Sequence, residues 1–318
     1  MRPIGGYFEL ELQHVGNVPH ADGVFVNSGR NALEYILLTL NPKKAYIPYF
    51  TCDVVLEPFK KHNIPYQFYH INESLELAED IELKEGEYLL ANNYYGIKDQ
   101  YIQKLVERFR DHLIVDNAQA LFAEETQHCF YSPRKFVGIP DSGIVVTSGY
   151  LGKELETDCS YDRCSHHLKR YDLGSSAGYG DFKDNSHKLV MQPILKTSAL
   201  TMRLLDSIDF EDVKAKRLKN FKMLHDALGS SNELPISLSS DSVPMVYPYL
   251  CKDDNLRTKL ISEQVFVATY WPNVFDWCKE RDLEYNLAKY ILPLPCDQRY
   301  GEEDMERIIE CFSNLQAL

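Results

Sequence analysis

The chain has 318 residues, 44% hydrophobic and 25% charged, the make-up of an ordinary folded protein rather than a disordered or membrane one. Its net charge of -13 and pI near 5.3 oppose nucleic acid, which is bound through Lys and Arg displacing counterions. No stretch approaches the roughly 18 uninterrupted apolar residues of a membrane span. The opening MRPIGGYFELELQ has no apolar run followed by a small-residue cleavage site, so a cytoplasmic protein is expected.

The first half alternates two kinds of segment. VFVN (24–27), AYIP (45–48), YQFYHI (66–71), YLLANN (88–93), LIVDNAQ (113–119) and GIVVTS (143–148) read as strands. Between them RNALEYILLTL, DVVLEPFKKHN and IKDQYIQKLVERFRD carry apolar residues at spacings of three and four, the mark of helices. Strands alternating with helices imply βαβ crossovers and a mostly parallel central sheet flanked by helices, an α/β fold. In such sheets ligands bind outside the carboxyl ends of the strands.

From about 150 to 190 the pattern loosens into a Gly-, Ser-, Asp- and His-rich stretch that reads as a long loop. It holds Cys159, Cys164, His166 and His167, but C-x4-C-x-H-H is not a standard zinc spacing and no metal is expected. The eight cysteines are scattered along the chain and read as reduced thiols. Residues 198–228 read as one strong helix ending at Gly229. The short apolar segments VPMVYPYL, FVATYW and YILPLP follow, then the helix EEDMERIIECFSNL. The expected organisation is a large domain over 1–195 and a smaller C-terminal α/β domain over 196–318.

Three strand ends carry candidate chemistry. After VFVN, Ser28-Gly29-Arg30-Asn31 opens a helix, whose free N–H groups and positive dipole end suit a phosphate. Arg30 adds charge there, although Ser28 taken alone reads more readily as a plain N-cap. After LIV come Asp116 and Gln119. An aspartate at the end of a buried strand needs a cation, a donor or a capping role facing it. Third, Ser132-Pro133-Arg134-Lys135-Phe136 precedes GIPDSG and a strand, so Lys135 is expected to be drawn out of solvent at the mouth of the sheet. Burial and neighbouring positive charge favour the neutral amine that a Schiff base requires.

Taken together, NSGRNAL, IPYFTCDVVLEPFKKHNIPYQFYHIN, VDNAQALFA, YSPRKFVGIPDSGIVVTS, RLLDSIDFEDVKAKRLKNFKML and ILPLPCDQRYGEEDMERI resemble, in order and spacing, the DegT/DnrJ-type nucleotide-sugar aminotransferases. These are fold-type I enzymes dependent on pyridoxal 5′-phosphate (PLP). The resemblance runs from about residue 24 to 310. It implies that Lys135 holds PLP as a Schiff base and moves the proton, that Asp116 pairs with the pyridine nitrogen, and that Gln119 meets the ring hydroxyl oxygen. It further implies that Ser28, Gly29 and Arg30 hold the phosphate with help from Ser132. A homodimer with the site at the subunit interface is implied, as is transfer of an amino group from an amino acid to a keto-sugar in a cell-surface polysaccharide route.

The chain departs from that pattern in several places. Arg30 stands where a threonine is usual. Cys52 occupies the position of the aromatic that stacks on the ring, so either Tyr49 or Phe50 moves in or a thiol covers that face. Asp116 and Lys135 are only 19 residues apart, and Ser132 lies three residues before the lysine rather than five. These changes mark a divergent member. They leave open a PLP enzyme of another reaction type and a non-catalytic scaffold or regulator. The aromatic pair Tyr94-Tyr95, following a strand, is expected at the pocket, and Trp271 and Trp277 in the small-domain core or the entrance wall.

Overall fold

The computed structural model describes residues 4–316. Residues 1–3, which open the segment read above for a leader, and 317–318 lie outside it. The elements follow in chain order as β1 (Val24–Val26), α1 (Gly29–Leu40), β2 (Lys44–Pro48), α2 (Leu56–Lys61), β3 (Tyr66–Tyr69), β4 (Glu87–Asn92), α3 (Asp99–Phe109), β5 (Leu113–Asn117), β6 (His128–Tyr131) and β7 (Gly143–Thr147). The second half adds α4 (Ser165–Leu173), α5 (Tyr179–Lys188), α6 (Ala199–Asp206), α7 (Phe210–Leu228), β8 (Tyr247–Leu250), α8 (Leu256–Ser262), α9 (Val274–Trp277), α10 (Leu283–Tyr290), β9 (Ile291–Leu294) and α11 (Glu302–Gln316).

Among the described residues, seven strands form one sheet in the order β1-β7-β6-β5-β4-β2-β3. All neighbours pair in parallel except at β7, which runs antiparallel to both β1 and β6. The carboxyl ends of β1, β2, β4, β5 and β6 therefore lie along one edge, together with the start of β7. Successive residues alternate between two cores. Leu89 and Ala91 of β4, and Leu113 and Val115 of β5, face one hydrophobic cluster. Leu90 and Ile114 face the other, which includes Leu33, Ile36 and Leu37 of α1. Burial on both faces explains why these strands read as continuous apolar runs. The first cluster continues without a break into α7, α11 and the β8–β9 pair.

Three expectations are corrected. The strand β6, HCFY, was not anticipated: four residues with a histidine and a cysteine give no strand signal by themselves, yet all four are buried between β5 and β7. Of the stretch 150–190, residues 150–160 are irregular as expected, but the rest holds the helical pair α4–α5, joined by a turn at Gly174 with φ 86°. The helix expected over 198–228 is two, because Asp209 accepts from the N–H groups of Glu211 and Asp212 and starts α7 afresh. A cap at that point stabilises the second helix by about 1 kcal/mol. FVATYW forms no strand.

Candidate active site at the carboxyl edge of the sheet

The site is assembled from the turns that leave this shared edge. At the end of β1, Ser28 takes an extended conformation and caps α1: its hydroxyl donates to Asn31 Oδ1 at 2.6 Å and accepts from the Asn31 N–H. The capping reading of Ser28 therefore holds for its side chain, while its backbone bridges Ser142 in parallel. Gly29 lies against Ser132, since a Cβ added there would sit 3.4 Å from Ser132 Cβ. The start of β7 presses on the same turn. A Cβ on Gly143 would meet Ser28 O at 2.4 Å, so only glycine fits, a requirement that a lone Gly at a strand start does not announce.

Two guanidinium groups face this helix end. Arg30 Nη1 is buried, has no hydrogen-bond partner, and has Glu57 Oε2 as a distant counter-charge at 3.9 Å. Arg134, on the short turn Pro133–Lys135, donates to Ser186 Oγ of α5. Burial, then the nearness of Arg30, pushes Arg134 down to about 10. A helix start beside two crowded cations, one with an orphaned N–H, has the chemistry that suits an anion.

On the next strand Asp116 is 8% exposed and accepts from the Ala118 N–H at 2.8 Å. Burial raises its carboxyl above the usual range, while the Lys135 ammonium and the Ala118 N–H pull the other way. The same ammonium acts on Cys52, whose thiol is raised by burial. Lys135, Asp116 and Cys52 thus share one electrostatic neighbourhood. Contrary to expectation, Lys135 is exposed. It stands at the end of a 3-10 turn with its side chain over the open edge rather than inside a core.

Gln119 is buried and its carbonyl accepts from the Tyr95 N–H at 2.9 Å, which orients its NH2 group away from that loop. Tyr94 and Tyr95 are core residues rather than pocket walls: Tyr94 donates to Phe50 O, and Tyr95 is fully buried with an unpartnered hydroxyl. Nor does a neighbouring aromatic replace the one missing at position 52. Phe50 is fully buried against Tyr94 and Trp271, and Tyr49 packs on Phe68 and His70. The two tryptophans also join the main sheet, Trp277 through Phe68. Tyr270, which no sequence signal singled out, does come near Cys52, and burial pushes its phenol up to about 12. All eight cysteines are free, and among the described residues no group of His, Cys, Asp or Glu side chains converges as a metal site.

No family model matches the sequence, and no curated protein matches it. Solved structures do match in shape. NtdA from Bacillus subtilis, solved with bound cofactor PMP, superposes with a TM-score of 0.64 at 15% identity, covering 93% of this chain and 73% of its own. DesV from S. venezuelae gives 0.61 at 16%, covering 92% and 84%. A DegT DnrJ EryC1 StrS aminotransferase from Brucella abortus gives 0.60 at 15%, covering 92% and 85%. The chain has the fold of a fold-type I PLP transferase, as expected from its sequence: a mixed seven-stranded sheet flanked by helices.

Proposed function

We propose that the protein is a PLP-dependent aminotransferase that moves an amino group from an amino acid to a keto-sugar, with the sugar nucleotide-linked. The observation that carries this reading is the set of groups on one sheet edge: Lys135 acting on Asp116, beside a helix start faced by Arg30 and Arg134. The residues fit the cofactor on the chemistry they present. The orphaned Arg30 Nη1 at the start of α1 suits a phosphate, with Gly29 and Ser132 alongside, and a buried carboxylate held above its usual range suits a cationic ring nitrogen.

When bound, PLP supplies an aldehyde that takes up an amino group and a ring that withdraws electrons. In this reading Asp116 would hold the ring nitrogen in its charged form, Gln119 would offer its NH2 group to the ring oxygen, and Cys52 would lie beside the ring. Lys135 is the amine that carries the cofactor. With its Nζ free, Lys135 would serve as the base that accepts a proton from the substrate carbon and gives it back to the cofactor carbon bearing the amino group. Its exposure at the edge leaves that amine open to substrate.

Residues 1–195 are proposed as the cofactor-binding part and 196–318 as the smaller part closing over it. A homodimer, a cytoplasmic location and a role in polysaccharide assembly complete the proposal. Among the described residues no helix is long and apolar enough to cross a membrane, and the exposed side chains of α4 and α5 give the dimer a surface. The test is a half-reaction: protein loaded with PLP is mixed with glutamate. Stoichiometric release of 2-oxoglutarate with loss of the cofactor's visible band supports transamination. An unchanged band with every common amino acid refutes it.

A further inference from the structure

The buried stripe of α7 contains a charge. Phe210, Val213, Arg217, Asn220, Phe221, Leu224 and Leu228 are the buried positions of this helix, so Arg217 occupies a place in the apolar repeat where an aliphatic side chain is the ordinary choice. It is 1% exposed. A guanidinium taken out of water needs compensation, and here the compensation is unusual: among the described residues Arg217 makes no ion pair, and its hydrogen-bond acceptors are backbone carbonyls. Nη1 donates to Met245 O at 2.9 Å and Pro244 O at 3.3 Å, and Nη2 to Phe136 O at 3.0 Å. Its guanidinium carbon lies 4.6 Å from the centre of the Phe136 ring.

Phe136 directly follows Lys135. Its carbonyl accepts a second bond at 2.7 Å from Gln298 Nε2, so two side chains from remote parts of the sequence hold the same peptide. On the other side of Arg217 the contact continues towards Gln119. Met245 N donates to Tyr95 O at 2.8 Å, and Tyr95 N donates to Gln119 Oε1 at 2.9 Å. One buried cation thereby links the segment bearing Lys135 to the loop that holds Gln119.

We propose that Arg217, with Gln298 as its second, is a positioning residue for Lys135: it fixes the carbonyl of Phe136, the residue after the lysine, and so sets the direction in which Nζ is presented to Asp116 and Cys52. The proposal rests on Lys135 being the cofactor lysine. Substituting an aliphatic residue would keep the core filled but free the Phe136 carbonyl, and Lys135 would lose its fixed bearing while staying on the same turn.

The experiment compares full-length wild type with R217K, R217M and Q298L, each checked for folding by circular dichroism. Without cofactor, each is acylated with an amine-reactive ester across a pH series, and the rate at Lys135 is read by peptide mapping against exposed Lys104. With cofactor, PLP affinity is measured. The expected result is a shifted pH profile of Lys135 acylation in R217M and Q298L with Lys104 unchanged, and PLP affinity reduced about tenfold in R217M, as small misplacements of a reacting group can do. R217K is expected to recover part of both effects. Should R217M fail to fold, Q298L and R217K still decide, because both leave a donor or the charge in the core. The proposal is overturned if these variants lose thermal stability while the Lys135 profile and PLP affinity stay at wild-type values, since Arg217 would then be only a core cation. If wild type takes up no PLP, the cofactor reading fails on its own and the acylation profiles alone decide the positioning role.

Discussion

Asp116 is a buried carboxyl whose burial acts on stability and on its proposed role in opposite senses. Burial raises its carboxyl, so the folded chain holds the proton more tightly than the unfolded chain does. Its contribution to stability is therefore favourable below the unfolded value of about 3.9 and is lost as pH rises through the folded value. Without cofactor, the ionised form of Asp116 works against folding. Asp116→Asn is expected to raise the melting temperature of the cofactor-free protein at pH 7 by about 2 °C, a gain that vanishes towards pH 4. The same change should weaken PLP binding at least tenfold, the loss of a charge-assisted hydrogen bond worth about 1.5–3 kcal/mol. Calorimetry with and without PLP checks both signs. Asp116, near the end of β5, and Lys135, in the turn ahead of β7, were legible as candidates in the sequence because strand ends in such sheets are where ligands bind. Tyr270, Arg217 and Gln298 were not. They reach the site from segments far along the chain, and nothing local distinguishes them from other tyrosines, arginines and glutamines.

The α4–α5 pair carries the clearest lesson at the scale of elements. Its sequence is polar and glycine-containing, with little amphipathic pattern, and was read as a loop. Its attachment comes instead from a few buried polar contacts. Arg163 donates to Asp141 Oδ2 at 2.5 Å and to Asp158 Oδ2 at 2.6 Å, Thr201 donates to Asp141 Oδ1 at 2.7 Å, and Asn185 donates to Pro140 O at 2.6 Å. Asp141 is fully buried, so removing its cation leaves an uncompensated charge. Arg163→Met is expected to destabilise the protein by about 3 kcal/mol. It should also speed proteolytic cutting between residues 160 and 190 while the sheet stays protected. Denaturant melts and limited proteolysis with mass mapping read this; uniform protection at wild-type stability would contradict it. Strand β6 was hidden for the opposite reason: four residues are too few to show a period, and only pairing with β5 and β7 makes them a strand.

For the whole molecule, the alternation of strands and helices was enough to expect a mostly parallel sheet, but the strand order was not readable. No local signal says that β7 inserts antiparallel between β1 and β6, and that insertion is what brings Gly143 against the Ser28 turn. The surface also carries exposed apolar groups: Tyr171 is 96%, Leu173 69% and Leu168 65% exposed on α4, next to Tyr179 and Phe182 of α5. Apolar clusters of this kind mark association sites. The wild type is expected to sediment as a dimer and Leu168→Asp with Tyr171→Asp to sediment as a monomer. A monomeric wild type would contradict the proposed homodimer. The central claim, that Lys135 is the amine carrying PLP, is tested most directly by incubating the protein with PLP, reducing with borohydride and mapping the peptides. The expected result is a phosphopyridoxyl group on Lys135 that is absent from Lys135→Ala. No label, or label spread over other lysines with Lys135 unmodified, would contradict it.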